Sequence, residues 1–242
     1  MGQAHRGERV SILRRFAGVF FRPAKTFRFL ADRPIWVDAL AIVLVAVAAF
    51  SYLVFPFVQQ DRLRTFEDTA GGFIEKHGAQ QYDAAVARIK GESRALDAFV
   101  VRPLIALTGF LFASLIGLGA GRAVTRRGHY LQVFSCFIHA NFVVAILGNA
   151  VRLALVMARR STLHVSTGLP AFFPGLPAGS TAYAALSRVD FSSLWMHGLF
   201  GLGLASAFKV SAGKGLAFSY ALWLLGSLAG FVFAVAGKGF FL

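Results

Sequence analysis

The chain of 242 residues carries 25 Lys and Arg against 11 Asp and Glu, which gives a formal net charge of +14. Hydrophobic residues make up 57% of the chain, and its mean hydropathy is +0.64. A soluble basic nucleic-acid binder does not have this composition, which is typical of a membrane protein. The single cysteine, Cys136, excludes an intrachain disulfide and a cysteine-rich metal site.

The first 35 residues form a basic segment that we predict to lie on the membrane surface. In residues 10–33 the apolar and charged side chains separate onto opposite faces of a helix. Pro23 suits the first turn of a helix, and Pro34 disfavours helical angles in the residue before it. We therefore predict two amphipathic helices that meet at Pro23. Their inward apolar residues are Phe16, Phe20, Phe27 and Leu30, and their lipid-contacting cations are Arg14, Arg15, Arg22, Lys25 and Arg28.

This basic segment has three interpretations. Anionic lipid explains both the apolar faces and the cations, since each juxtamembrane cation is attracted by about 1 kcal/mol. The cations alone would also set the topology of the first span. Nucleic-acid binding is disfavoured, because it needs exposed aromatic rings for stacking and these rings lie on the apolar faces. The sequence thus predicts anionic membrane lipids as partners and no nucleic acid.

Five apolar runs of about 20 residues follow and predict five transmembrane helices. Helices are the expected spanning form, because lipid offers the backbone no hydrogen-bond partner. The predicted fold is an all-α polytopic bundle in residues 36–242, preceded by the membrane-surface segment of residues 1–35. The predicted spans are residues 36–58, 99–120, 130–157, 191–208 and 216–236.

The distribution of cations predicts the orientation of the chain. The first 35 residues hold eight Lys or Arg and only Glu8 and Asp32 as acids, which favours a cytoplasmic N-terminus. Five spans then put the C-terminus outside. The 121–129 turn, with three Arg and no acid, fits the inside, whereas the Arg159–Arg160 pair falls outside and fits poorly. The predicted location is the cytoplasmic membrane of a bacterium.

Two longer loops connect the predicted spans. In residues 59–98 apolar residues recur at helical spacing on both sides of Gly78, which predicts two amphipathic helices joined there and lying over the bundle. Residues 161–190 contain Pro170, Pro174 and Pro177 and are predicted to be coil. We expect the Phe172–Phe173 pair of this coil to dip into the membrane interface.

Small residues recur every four positions in two spans and predict close helix packing. Such stripes let two helix backbones approach within the membrane. A phosphate loop is the less favoured interpretation of "GLGAGR" at residues 117–122, because no strand precedes it and no Gly-Lys-Ser/Thr ends it. The predicted packing residues are Gly109, Ala113, Gly117 and Gly121 in the second span, with Gly226 and Gly230 in the fifth.

The third span contains the main polar set within the predicted membrane region. Intramembrane polar and ionisable groups are candidates for a transport pathway, but they also hold helices together by hydrogen bonds. We favour the second interpretation and predict no cofactor, metal or catalytic residue, because four metal ligands and a carboxylate are missing from this span. The set is Gln132, Cys136, His139, Asn149 and Arg152, with His197 of the fourth span as a partner for His139.

Two stretches resemble the Yip family, whose eukaryotic members interact with Ypt/Rab GTPases. The start "FFRPAKTFRFLADRPIW" is similar to the start of bacterial members, and "DFSSLWMHGLFGLGLASAFKVSAGK" resembles the entry to their fourth span and the turn that follows. The resemblance implies five membrane helices, a cytoplasmic N-terminus and no known enzymatic reaction. GTPase partners and membrane traffic are implied by the eukaryotic members alone. The matching residues are Phe20, Pro23, Thr26, Phe27, Pro34, Trp36, Asp190, Phe191, Trp195, Gly203, Leu204, Ala205, Ser211 and Lys214.

The predicted function is that of a non-enzymatic integral membrane protein that organises the membrane or binds lipid, a protein partner or a second copy of itself. The alternative is a transporter or lipid-moving protein that uses the polar residues of the third span. A transporter predicts solute flux in liposomes, whereas an organising protein predicts bound partners without flux. An intramembrane enzyme ranks last, because the sequence has no nucleophile–base or paired-carboxylate motif.

Overall fold

The structure is a computed structural model that describes residues 10–163, 165–177 and 179–240, with side chains described up to residue 236. Its regular elements are helical, apart from an isolated antiparallel bridge between Gly168 and Asp190. The ten α-helical segments of this part of the chain are α1 Ile12–Phe21, α2 Pro23–Asp32, α3 Val37–Asp68, α4 Ala70–His77, α5 Ala79–Lys90, α6 Arg94–Thr125, α7 Tyr130–Arg159, α8 Thr181–Leu186, α9 Phe191–Phe208 and α10 Ala212–Phe240.

Two of these helices contain a wider turn, and one loop contains a tighter one. Asp97–Val101 in α6 and Val143–Gly148 in α7 are π-helical. Leu169–Phe172, in the loop predicted as coil, forms a short 3₁₀ helix. Helix α8 lies in the same loop, so the described part of residues 161–190 contains two short helices where the sequence predicts coil.

Four helices are long and apolar enough to cross a membrane: α3, α6, α7 and α10. They cover four of the five predicted spans. Helix α9 has the bounds predicted for the remaining span, Phe191–Phe208, but it is not among the four. The chain is therefore an all-α protein with four candidate membrane-spanning helices within its described residues.

The first long helix continues well past its predicted apolar end at residue 58. Residues 59–68 contain neither Gly nor Pro, so nothing in them ends a helix, and α3 runs on to Asp68. The predicted break at Gly78 is confirmed, because this glycine separates α4 from α5 with a φ of +84°. The first predicted loop helix thus begins inside α3 rather than after it.

The chain divides into two compact units. The first, here the N-terminal unit, comprises the described residues up to Val43 together with Phe110–Phe142 and Trp195–Leu224. The second, here the loop unit, comprises Leu44–Gly109, Val143–Leu194 and the described residues from Leu225. The N-terminal unit has fully buried Phe27, Phe142 and Phe200 in its core. Helices α1 and α2 belong to this unit.

Candidate functional site

The two N-terminal helices are separated by the Arg22–Pro23 bond. Ser11 begins α1 by accepting a hydrogen bond from the backbone N–H of Arg14 at 3.3 Å. Arg22, with a φ of −142°, ends α1, and Pro23 occupies the first turn of α2, where its missing N–H leaves no bond unmade. The backbone N–H of Arg22 still reaches Gly18 O at 2.9 Å, which closes the last turn of α1.

One face of each helix packs on the core of the N-terminal unit. The rings of Phe16 and Phe142 lie 5.3 Å apart, and those of Phe20 and Trp195 lie 5.7 Å apart. On α2, Phe27 and Leu30 are fully buried. These four predicted inward residues thus pack against protein rings and helices, and bilayer contact is not needed to cover them.

Arg15 is the one predicted lipid-contacting cation that the structure places inside the protein. Its side chain is 2% exposed, and its guanidinium forms an ion pair with Asp38. The same guanidinium donates to Ile35 O at 3.2 Å and bonds His139 Nε2 at 3.1 Å. Its Nε also donates to Val10 O at 3.2 Å. The prediction of lipid contact for Arg15 is therefore wrong, because four acceptors within the protein already bind its guanidinium.

His139 of α7 completes this buried cluster. Its Nδ1 lies 2.8 Å from Ser135 O, and arginine has no acceptor, so the geometry fits the tautomer in which Nδ1–H donates to Ser135 and Nε2 accepts from Arg15. Both ring nitrogens are then engaged. Neither ring nitrogen of His139 is left for the predicted hydrogen bond to His197.

The other polar residues of the first half of α7 also hold the N-terminal segment. Gln132 donates to Ala31 O at 2.7 Å. Ser135 donates to Ile35 O at 3.3 Å, and Cys136 Sγ lies 4.0 Å from Phe27 O. The polar side chains of this half of α7 thus hold α2 and the turn into α3 by hydrogen bonds to their backbone carbonyls.

The outer face of α1 and α2 combines cations with exposed apolar side chains. Leu13 is 76% exposed and Phe21 is 84% exposed, although both belong to an apolar helix next to a span. We call this surface the basic face. In the described part of the chain, none of its cations pairs with a carboxylate. The basic face consists of Leu13, Phe21, Arg14, Arg22, Lys25 and Arg28, all exposed.

A groove of about 410 Å³ lies between α1 and α2 within this face. Arg14, Arg22 and Lys25 line it together with apolar Ala17, Phe21 and Phe29. Arg28 belongs instead to a second cavity of about 360 Å³, on the other side of α2, which Lys209 also lines. Lys209 pairs with Asp32 at 3.0 Å, so this second cavity has one cation already neutralised.

A comparison with protein families identifies the chain. The family model described as the Yip1 domain matches residues 17–234, which is nearly the whole chain. The chain belongs to the Yip1 domain family. No curated protein and no solved structure is significantly similar to it. The Yip1 family is not known as enzymatic, and within the described residues no three His, Cys, Asp or Glu side chains are grouped closely enough to hold a metal ion.

In this Yip1-domain chain the predicted polar residues from the second half of α7 form a second cluster, inside the loop unit. Arg152 pairs with Asp190 at 3.2 Å and also donates to Asn149 at 3.2 Å. The Asp190 carboxylate accepts from the backbone N–H of Ser193 at 3.0 Å and from the Thr167 hydroxyl. The predicted set is thus divided, with Gln132, Cys136 and His139 in one unit and Asn149 and Arg152 in the other.

Asp190 is the titratable group at the start of α9. Burial works to raise the pKa of its carboxyl, but the hydrogen bonds from Thr167 and Ser193 and the charge of Arg152 together hold that pKa below its usual value. The ionised carboxylate caps the first turn of α9, because it accepts the backbone N–H of Ser193. His197 lies in the second turn of α9, and its backbone carbonyl accepts a hydrogen bond from the Ser219 hydroxyl at 2.7 Å.

The glycines of the predicted packing stripes in this Yip1-domain protein differ in their surroundings. A Cβ at Gly121 would lie 2.0 Å from Phe208, and one at Gly230 would lie 2.7 Å from Arg188. Gly117 faces Phe200 at an ordinary 3.5 Å, and Ala113 is half-buried. Gly109 and Gly226 have no neighbour within 4 Å, so they are not packing positions among the described residues.

The sequence interpretation missed the ion pair between Asp38 and Arg15. It also missed the outward position of Leu13 and Phe21. A signal for the pair was present, because Asp38 follows the basic segment directly and starts an apolar span where a free carboxylate is costly. The exposed apolar residues were harder to find. Both protein and lipid are apolar, so hydropathy does not distinguish a side chain that faces one from a side chain that faces the other.

Proposed function

We propose that this Yip1-domain protein is a non-enzymatic membrane protein whose basic face binds anionic phospholipid. The observation that carries the proposal is that the cations without a carboxylate partner lie on the same surface as exposed Leu13 and Phe21. Exposed apolar side chains enter the acyl region, and neighbouring cations meet lipid phosphates. The apolar contacts are those of Leu13 and Phe21 and not those of the buried aromatic residues.

The same proposal includes five spans, because it adds α9, the fourth in chain order, to the four candidate membrane-spanning helices. Helix α9 has 18 residues and contains no Lys, Arg, Asp or Glu, which supports a crossing despite its shorter length. The N-terminus then lies in the cytoplasm of a bacterium and the C-terminus outside, because the cation-rich 121–129 turn shares the N-terminal side. Cysteine-accessibility labelling, after removal of Cys136, tests this. Labelling of residues 59–98 from the N-terminal side would contradict it.

The transport alternative has no observation in its favour. The polar side chains of the first half of α7 bond to the N-terminal helices and their connecting turn. Those of the second half bond around Asp190. Groups that are committed to fixed partners do not form a pathway, so we do not propose transport.

The experiment compares two full-length variants with equal charge change by native mass spectrometry in detergent. Phosphatidylglycerol and phosphatidylcholine are added in equal amounts. One variant carries Arg14→Gln, Arg22→Gln, Lys25→Gln and Arg28→Gln. The matched control carries four substitutions of exposed cations elsewhere, Arg64→Gln, Arg88→Gln, Lys90→Gln and Arg127→Gln.

We expect wild type and control to retain phosphatidylglycerol preferentially and the basic-face variant to lose that preference. Equal retention by both variants would contradict the proposal. A protein partner or a second copy of the chain would appear in the same spectra as a larger mass. If that mass disappeared in the basic-face variant without any lipid preference in wild type, the basic face would be a protein-binding surface instead.

A further inference from the structure

We infer that the groove between α1 and α2 is a specific site for the phosphodiester head of one anionic phospholipid. This inference rests on the proposed function and adds a defined position and stoichiometry to it. The groove has a volume of about 410 Å³, which is within the range of about 300–1,000 Å³ typical of small-molecule sites. A diffuse basic surface would need no such concavity.

The lining of the groove matches the two parts of a phospholipid. Arg14, Arg22 and Lys25 line it, and no acidic side chain among the described residues does. Guanidinium groups bind phosphate oxygens in a bidentate manner, and lysine adds a point charge. Ala17, Phe21 and Phe29 supply an apolar wall for the glycerol and first methylene groups. The occupant that combines an anionic head with an apolar body is a phospholipid.

Arg15 also lines the groove, but its charge is compensated on the protein side. The ion pair with Asp38 leaves the guanidinium as part of the floor and not as a further phosphate ligand. The three remaining cations have no carboxylate partner among the described residues. Their positive charge is therefore available for an external anion, and it is concentrated at the groove.

The shape of the groove depends on a close approach of the two helices. Gly18 of α1 faces Thr26 of α2, and a Cβ at position 18 would lie 2.4 Å from the Thr26 hydroxyl oxygen. That hydroxyl donates to Arg22 O at 3.1 Å, which fixes it beside the junction of the helices. The walls of the groove are thus held by contacts within the N-terminal segment before any lipid arrives.

Arg28 provides a matched control on the same helix. It is exposed like Lys25, has no carboxylate partner in the described part of the chain, and lies three residues further along. However, it lines the cavity on the other side of α2 and not the groove. A site in the groove predicts unequal effects for Lys25 and Arg28, whereas attraction by the whole face predicts equal ones.

The experiment titrates phosphatidylglycerol into delipidated full-length protein and counts bound lipid by native mass spectrometry. We expect one tight phosphatidylglycerol per wild-type chain. Arg22→Gln and Lys25→Gln should each lower its affinity by about tenfold, as for loss of a hydrogen bond to a charged group. Arg28→Gln should lower the affinity by less than about twofold, and the melting temperature of all three variants should stay at the wild-type value because these side chains are exposed.

The outcomes separate this inference from the proposed function. Equal losses for Lys25→Gln and Arg28→Gln, or several equivalent bound lipids, would overturn the groove site and leave the basic face as a diffuse lipid-binding surface. Equal binding of phosphatidylcholine by wild type would overturn both. Displacement of the lipid by millimolar inorganic phosphate would mean that the site takes free phosphate and would also overturn the assignment to phospholipid.

Discussion

The two compact units differ in what their closely packed helix glycines face, although both consist of apolar helices. In the N-terminal unit, glycines sit against neighbours: a Cβ at Gly121 would meet Phe208 at 2.0 Å, and one at Gly203 would meet Cys136 at 2.6 Å. In the loop unit, a Cβ at Gly230 would meet the guanidinium end of the Arg188 side chain at 2.7 Å, and Gly109 and Gly226 have nothing within 4 Å. Glycine in an apolar span therefore marks close packing only where a neighbouring side chain or a crossing helix faces it.

The two units also differ in which charged group of their polar cluster is buried. In the N-terminal unit a buried guanidinium, that of Arg15, collects acceptors from several segments, while the Asp38 side chain remains 45% exposed. In the loop unit a carboxylate, that of Asp190, collects the donors, and its side chain is 16% exposed. The group that lacks water determines which substitution is most damaging, because a buried charge without its partner cannot be solvated.

The largest effect should come from Asp38→Asn. This nearly isosteric change removes the charge opposite Arg15, which is 2% exposed, and leaves an uncompensated buried cation. We expect a loss of about 3 kcal/mol in the free energy of unfolding, the lower end for breaking a buried pair, because Asp38 itself is partly solvated. Denaturant unfolding in detergent, followed by circular dichroism, measures it.

The control for this prediction is the double variant Arg15→Met with Asp38→Asn. It removes the buried charge together with its partner, so it should be more stable than Asp38→Asn alone. A double variant that is less stable than the single one would mean that Arg15 acts through its other hydrogen bonds. The buried charge of Arg15 would then not explain why its cluster is more sensitive to substitution than the Asp190 cluster.

A smaller effect is expected from Gly121→Ala. The added methyl group overlaps the ring of Phe208, which is 3% exposed and has little room to move. Overpacking of this kind typically costs about 1–3 kcal/mol. We expect a lower melting temperature for the detergent-purified protein, measured by intrinsic fluorescence.

Gly109→Ala and Gly226→Ala are the matched controls from the loop unit. Both positions are helical and open, so alanine should leave the melting temperature unchanged or raise it slightly. Gly117→Ala should also be tolerated, because its nearest neighbours lie at 3.5 Å. Equal destabilisation at Gly109 and Gly121 would show that the close contact with Phe208 is not what makes position 121 sensitive to a larger residue.

The smallest effect concerns the acid stability contributed by Asp190. Its pKa is lowered in the folded protein from a usual value of 3.8, so the unfolded chain takes up this proton first as the pH falls. The stabilisation is present above the usual value and is lost as the pH falls through the lowered one. Asp190→Asn should therefore lose less stability than wild type between pH 5 and strongly acidic pH.

The difference between wild type and Asp190→Asn isolates this group from the other carboxylates, which titrate in both proteins. Arg152→Gln should diminish the difference, because the arginine charge contributes to the lowered pKa. Parallel pH–stability curves for wild type and Asp190→Asn would show that the carboxylate makes no pH-dependent contribution. The loop-unit cluster would then be no more than a set of neutral hydrogen bonds.

Local backbone chemistry made much of the fold predictable. Pro23 and Gly78 end helices through properties of their own backbone, so both breaks could be found without knowledge of neighbours. The apolar spans were found by composition, but the end of α3 was not. A hydropathy profile locates the end of an apolar run, whereas a helix continues until a helix-breaking residue or a cap ends it. Helix α3 therefore continues past the apolar run to Asp68.

The candidate site was less predictable, because the rotation of α1 depends on its partners. A helical wheel gives the relative positions of side chains, but it does not say which side meets protein. Asp38 and His139 draw Arg15 inward, and this turns Leu13 and Phe21 outward. The sequence also singled out the polar residues of α7, but their division between two clusters depends on the positions of Ala31 and Asp190.

The docking of α2 has a consequence for how the basic face can vary. Gln132, Ser135 and Cys136 bond to the carbonyl oxygens of Ala31, Ile35 and Phe27, and every residue type supplies a carbonyl. The anchorage is thus insensitive to the identity of the side chains around it. The side chains at exposed positions such as 25 and 28 can therefore change, and with them the preference for a lipid headgroup, while the backbone hydrogen bonds keep α2 in place.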